Sequence, residues 1–510
     1  MSERDEERFG IDLDAATARL PVHASDEQTL LDSSPFTPPR NQAAPRNALT
    51  RSIAVLPFKT LGAMASSDDE YLGLGLADAL ITTLSNLRQL VVRPTNAVMR
   101  FSDPGQDLLI AGQELAVDVV LDGRVRRTND RVRVTVQLIS VQGGAPLWAE
   151  KFDEKWTDIF TVQDSISEQV ARALMLQLSG AERKLLTKRE TKNTDAYQAY
   201  LRGRFYWNKF TEESFQRAIA AFIEAINIDP EYALAYAGLG DLYNWLGVLG
   251  ALPPSDTWGR GRKMSARAVA LDDTLAEAHA ALGFALLCYD HDWAGGEREL
   301  QRALELNPHY ATAHQWYCFQ LAAEGRFAEA LQEAQAALLI DPLSPSITQA
   351  FGWITYVARD YDSSIEYHQK VMKLDPQFAL GHFSAGRPLI QKGMHAEAIA
   401  ELQQAIELSN GSPVMQAALG HAYAVAGRES EARAILDKLN DLSQKRYVSA
   451  YHVALLYCGL GEFERAFEWL EKTFKEHDAW LIWLRVEPQL DPLRSDPRFA
   501  DLLRRLGLGR

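Results

Sequence analysis

The sequence predicts two architectures in series: a small α/β domain at residues 52–180, then an all-α right-handed solenoid of helix pairs at 195–480. Three observations carry this. Short apolar, β-branched runs alternate with helical patterns up to about residue 180, and past that point the strand signals cease. Pro308, Pro342, Pro376 and Asn410 then recur at intervals of 34 residues, the mark of a stacked helical repeat. The chain as a whole is 47% hydrophobic and 24% charged, the balance of a globular protein with room for several cores.

Residues 1–51 are rich in Asp, Glu, Ser, Pro and Ala and hold too little apolar surface to offset the entropy of ordering, so they read as a disordered acidic tail. A short helix near Leu13 to Leu20 could form there on binding a partner. The formal net charge of −15 would repel nucleic acid and anionic membrane as a whole, which makes nucleic acid an unlikely partner except through a local patch. Cys288, Cys318 and Cys458 are widely spaced among apolar neighbours, so neither a disulfide framework nor a zinc cluster is encoded. No apolar stretch is long enough to span a membrane and no secretion signal opens the chain, so the expected location is cytoplasmic.

Ile53-Ala54-Val55-Leu56-Pro57-Phe58 is a continuous apolar run suited to a buried strand. A helix is predicted from Glu70 to Leu87, with Leu74, Ala77, Leu80, Ile81 and Leu84 on one face. Leu90-Val91-Val92 is a strand stopped by Pro94, and a second helix is expected at Gln106 to Ala116. Val119 to Arg127 and Arg131 to Ile139 flank Asn129-Asp130, and Val132, Val134, Val136 and Leu138 alternate with polar residues, which predicts a hairpin with one buried face. A strand at Pro146 to Phe152 and a helix at about Asp158 to Leu178 complete the domain, and 181–194 reads as a linker helix.

In the 34-residue register, Gly240, Gly283, Cys318, Gly352, Gly386, Gly420 and Ala454 occupy one place in the first helix of each unit, and Ala218, Ala330, Ser364, Ala398, Ala432 and Ala466 one place in the second. Small residues at fixed positions allow close helix approach. Gly325, Gly393, Gly427 and Gly461 supply the turn within a pair. This is the tetratricopeptide pattern, about eight units long. The second unit is stretched by a loop at Ala251 to Asp256, Pro388 is expected to kink a first helix, and 481–510 is expected to cap the array.

Ile53 to Phe58, the Gly-Leu-Ala-Asp of Gly75 to Asp78, and Leu147-Trp148-Ala149-Glu150 through Asp164 together resemble the TolB amino-terminal-like domain. Such domains precede tetratricopeptide arrays in many bacterial signalling proteins, and Gly203 to Lys209 and Asp491 to Phe499 look like the same family. In that family the shared region follows an effector: a winged-helix DNA-binding domain as in CadC-like regulators, a class III adenylate cyclase, or a serine/threonine kinase. The 51 residues ahead of it here are too few for such an effector, so the resemblance implies the sensing or docking half.

Catalytic chemistry finds little support. Gly73-Leu74-Gly75 lacks the third glycine and the Lys-Ser or Lys-Thr of a phosphate cradle, and no zinc-protease, nucleophile-elbow or kinase motif occurs, so no enzyme, cofactor or metal is expected. Asp290-His291-Asp292 reads as a solvated turn, and Asn410-Gly411-Ser412 as a turn replacing Asp-Pro. Arg124, Arg126, Arg127, Arg131 and Arg133 cluster on the hairpin but are interspersed with Asp118, Asp122 and Asp130, as on an ordinary exposed sheet face. On the concave face of the solenoid the register points Gln315, Phe319, Gln349, Trp353, Tyr356, Phe383, Arg387, Gln391 and His421 inward. Aromatics with amides and an arginine suit an extended peptide or helix from a protein partner, against the alternative that the aromatics pack between repeats. The expectation is a non-enzymatic scaffold or adaptor in bacterial signalling. The alternative is a transcriptional or second-messenger regulator that works through a separate effector or, less readily, by binding DNA directly.

Overall fold

A computed structural model describes residues 51–60 and 70–509 apart from 104, 129, 177, 187, 210 and 251. The expected tail at 1–50, its helix near Leu13, and Asn129 of the hairpin turn lie outside the described residues.

The first domain holds β1 (Arg51–Val55), β2 (Lys59–Thr60), α1 (Glu70–Ser85), β3 (Leu90–Val92), α2 (Thr95–Met99), α3 (Leu108–Glu114), β4 (Val119–Thr128), β5 (Arg131–Ser140), β6 (Pro146–Lys155), α4 (Ile159–Ala173) and α5 (Gly180–Leu186). The sheet runs β3-β1-β4-β5-β6, with β2 added beside β4; β1 is parallel to β3 and β4, and β4-β5-β6 form an antiparallel meander. Ile53, Val120, Val132, Val134, Val136 and Leu138 are buried, so the pleat delivers its apolar set to the core. The short helix α2 goes beyond the sequence expectation, in which Pro94 only stops a strand; Pro94 sits at the position before the first helical turn, where its missing N–H costs nothing. Asp107 caps α3 by accepting from the Leu109 and Ile110 N–H groups.

Eight helix pairs follow among the described residues: Thr194–Trp207 with Glu212–Ile228, Ala233–Val248 with Trp258–Leu271, Ala276–Ala285 with Trp293–Leu306, Ala311–Ala323 with Phe327–Ile340, Pro345–Val357 with Tyr361–Leu374, Ala379–Gln391 with His395–Leu408, Pro413–Val425 with Glu429–Ser443, and Ala450–Gly459 with Phe463–Lys475. Gly325, Gly393, Gly427 and Gly461 take φ values of 74° to 84°, the left-handed conformation that ends a helix without a Cβ clash. The helix Ala379–Gln391 continues through Pro388. No helix among the described residues is long and apolar enough to cross a membrane.

A single apolar core continues from β1 through α1 into the first two helix pairs. The first domain also reaches the fourth pair. The Arg93 guanidinium donates to the Leu115 and Ala116 carbonyls and, at 2.7 and 2.6 Å, to those of Leu339 and Ile340. Arg88 donates to the Glu305 carbonyl at 3.0 Å, and His309 Nε2 lies 3.0 Å from the Arg88 carbonyl.

The C-terminal segment, expected as a cap, does more than cover an end. Arg498 and Arg505 pair with Glu464 and Glu471 on the last helix pair, as a cap would. The turns at Ala479–Trp483 and Pro488–Leu493, however, lie inside the superhelix, and the Leu506 carbonyl accepts from Trp293 Nε1 at 2.6 Å. The tail thereby meets the third helix pair.

Candidate partner-binding cavity

The expected open groove is not open. Trp353, Tyr356, Phe383 and Arg387 are no more than 3% exposed, because the chain's own residues 479–493 cover them. Trp353 packs edge-to-face on Trp480 and Trp483 at 5.7 and 5.1 Å, and Phe383 on Trp480 at 6.0 Å. Arg387 donates to Glu487 Oε2 at 2.8 Å and to Gln489 Oε1 at 3.3 Å, its guanidinium lying 4.9 to 5.5 Å from the rings of Phe383, Trp353 and Trp480. The Tyr356 hydroxyl donates to the other oxygen of Glu487. Phe319 is half-buried against Trp483. His421 is buried with Nδ1 2.8 Å from the Leu455 carbonyl, and burial pushes its pKa down to about 4. Gln391 is half-buried. Gln315 and Gln349 tie their amide nitrogens to Ser346 and Ser384. Gln315, Phe319, Gln349, Trp353, Tyr356, Phe383 and Arg387 gather around residues 479–493, where the aromatics and Arg387 hold an internal strap, while His421 packs on the next repeat. The register could not reveal this, since the covering residues lie about 100 positions downstream. The available signal was the apolar Trp480-Leu481-Ile482-Trp483, too hydrophobic for a terminal cap.

A larger open space lies elsewhere. A cavity of about 1130 Å³ lies between the first domain and the mouth of the solenoid. One wall is the end of α1 with α2, including Thr82, Asn96 and Arg100; the other is the run of loops that lead from one repeat to the next, including Asn307, Asp341, Ser344, Gln377 and Asn410, with Trp480 of the strap reaching it from within. Each loop is placed by the 34-residue spacing, which is why the lining residues recur in register.

The cavity wall is acidic with basic counterpoints. Arg204 binds Asp78 at 2.8 and 2.9 Å, and the Thr95 hydroxyl donates to the same carboxylate at 2.5 Å. Burial raises the pKa of Asp241 to about 6, against the pull of Arg204 and with the help of Glu277; Glu277 is raised by its own burial. Asp341 is likewise raised to about 6 by burial, opposed by Arg93 and Arg100. Carboxylates in that condition gain from an incoming cation or N–H donor. No group of three or more His, Cys, Asp or Glu suited to a metal ion occurs among the described residues.

On the hairpin, Arg131 and Arg133 both bind Asp153 of β6, and Arg127 lies over the Trp156 ring at 4.5 Å. Arg124 and Arg126 remain exposed. Asp290 ends a widened helical turn, and His291 follows in the left-handed conformation, with burial lowering its pKa to about 4.

Residues 49–169 match the family model of the HilA/YgeH-like transcriptional regulator, second domain, and residues 389–456 match that of the tetratricopeptide repeat. A protein described as putative adenylate cyclase 3 of Rhizobium meliloti (strain 1021) is 32% identical over 257 residues, 49% of this chain and 41% of that protein. The transcriptional regulator HilA of Salmonella typhimurium (strain LT2) is 23% identical over 320 residues, 62% of this chain and 55% of that protein. Among solved structures, a thermophilic tetratricopeptide protein of Thermus thermophilus covers 33% of this chain and 92% of its own at 20% identity, with a TM-score of 0.31. The chain thus spans about half the length of the curated relatives it matches. It combines a HilA-like regulator domain with tetratricopeptide repeats.

Proposed function

We propose that this chain is a non-catalytic docking module of a bacterial regulatory system, a tetratricopeptide scaffold that receives a segment of a partner protein in the cavity between the first domain and the solenoid mouth. The observation that supports this is the construction of the cavity: loops of successive repeats form one wall, α1 and α2 the other, and the lining mixes apolar surface with Asp241, Glu277 and Asp341. An extended segment carrying Lys or Arg would pair with those carboxylates and spend its backbone N–H groups on the loop carbonyls. In this reading the first domain, of the TolB amino-terminal type, is the sensing or docking partner of the repeats. The experiment is a pull-down from native lysate comparing wild type with an Asn96→Trp, Gln377→Trp double variant, two exposed positions on opposite walls. Loss of a specific partner with unchanged thermal stability supports the cavity; equal capture by both overturns it.

A second reading is favoured by the match of residues 49–169 to a regulator domain: the chain modulates transcription or second-messenger output through a separate effector, or reaches DNA through Arg124 and Arg126. A salt-dependent DNA shift that disappears in Arg124→Glu, Arg126→Glu would support the direct form, and no shift by wild type would remove it.

A further inference from the structure

A smaller recess of about 90 Å³ opens off the large cavity, at the floor of the concave face. Trp245, Gln315, Ser346, Phe378, Leu380 and Trp480 line both spaces, which defines its entrance. Behind them an array of rings closes the recess. Phe284 stacks on Trp316 at 4.0 Å, Trp316 meets Trp245 at 5.3 Å, and Phe319 and Trp353 both meet Trp483 edge-on. Trp245, Phe319, Phe378 and Trp480 are the rings left half-exposed.

The polar groups in this recess are few and defined. Gln315 Nε2 donates to Ser346 Oγ at 2.6 Å, and Gln349 Nε2 to Ser384 Oγ at 2.9 Å. Each amide therefore keeps its carbonyl oxygen as an acceptor, and each serine hydroxyl keeps its proton as a donor. No Asp, Glu, Lys, Arg or His stands among the described lining residues. The nearby Arg387, behind Trp353, Phe383 and Trp480, is neutralised by Glu487.

One water needs roughly 10–15 Å³, so the recess has room for about six to nine, but aromatic walls offer most of them no partner. A planar ring does better, because it gains edge-to-face and offset contacts on several sides at once. We infer that this recess is a binding site for a small, uncharged, planar aromatic compound that carries both a hydrogen-bond donor and an acceptor. Ring faces lie against the tryptophans and phenylalanines, the ligand's donor meets the Gln315 and Gln349 carbonyls, and its acceptor meets the Ser346 and Ser384 hydroxyls. The inference is independent of partner docking. A ligand seated here would touch Trp480 and Trp483 and so bear on the strap.

The test uses nicotinamide, a neutral planar heterocyclic amide, titrated into the full chain by saturation-transfer difference NMR, with cyclohexanecarboxamide as the saturated comparison. Nicotinamide is expected to bind saturably and the saturated amide about tenfold more weakly. Gln349→Leu removes an acceptor and should weaken nicotinamide by about tenfold. Ser346→Trp, at the entrance, should abolish binding and keeps the test decisive if the first variant fails to fold. No saturable binding by wild type, equal binding of the two amides, or undiminished binding by the Ser346→Trp variant overturns the site.

Discussion

Arg387→Met separates an internal strap from an open groove. The Arg387 guanidinium and the Glu487 carboxylate are 1% and 0% exposed, paired at 2.8 Å, and methionine keeps most of the apolar volume while deleting the charge. Removing one partner of such a pair leaves the other buried and uncompensated, a loss of about 3–5 kcal/mol. Part of that comes from contacts with Trp353, Phe383 and Trp480, each of the order of 0.5–2 kcal/mol. Glu487→Gln should cost a similar amount, since it also weakens the acceptor of the Tyr356 hydroxyl. The double variant should cost less than the sum, with a coupling of about 2 kcal/mol or more. Equilibrium urea unfolding followed by tryptophan fluorescence reads all three, because Trp480 and Trp483 flank the pair. Single-variant losses below about 1 kcal/mol, with no coupling, would refute the reasoning and return residues 479–493 to the outside of the superhelix.

Other outcomes follow from the same geometry. His279 is opposed by burial, but Glu299 at 2.7 Å from Nδ1 and the Asp273 carbonyl at 3.0 Å from Nε2 outweigh that and raise its pKa, with Arg302 opposing weakly. Its contribution to stability is therefore complete below the ordinary histidine value and lost as pH rises through the raised one; melting temperatures from pH 6 to 8.5 should fall more steeply in wild type than in Glu299→Gln. Arg93→Ala removes donors to four carbonyls and should loosen the first domain from the fourth helix pair, at a cost of about 1.5–3 kcal/mol, seen as faster amide exchange at 339–343 without loss of the sheet. A methyl at Gly352 would lie 2.6 Å from the His368 ring, whose burial lowers its pKa to about 3, so Gly352→Ala should destabilise by about 1–3 kcal/mol in thermal unfolding.

Local periodicity made much of the architecture legible. The alternation in Arg131 to Ile139 specifies which hairpin face is buried, and Val132 through Leu138 obey it. The recurrent small residues of the second helices, Ala218, Ala330, Ser364, Ala398, Ala432 and Ala466, are all fully buried where helices cross. The two-residue strand β2 is not legible in the sequence because so short a segment has no period to read. The register also brings Gln315, Phe319, Gln349, Trp353 and Phe383 to one recess, since a repeat fixes direction. What covers these residues was not readable, because a contact between Arg387 and Glu487 spans 100 residues and leaves no local pattern.

The sequence by itself determined the sheet face, the helix pairs and their turns, because each depends on residues a few positions apart or on a constant 34-residue step. Only the tertiary structure decided that the solenoid curves far enough for Trp293 to meet Leu506, that residues 479–493 fill its inner face, and that the space left open lies against α1 and α2. Superhelical curvature accumulates from small rotations at every repeat interface, so the meeting of distant segments is a property of the sum and of no single repeat.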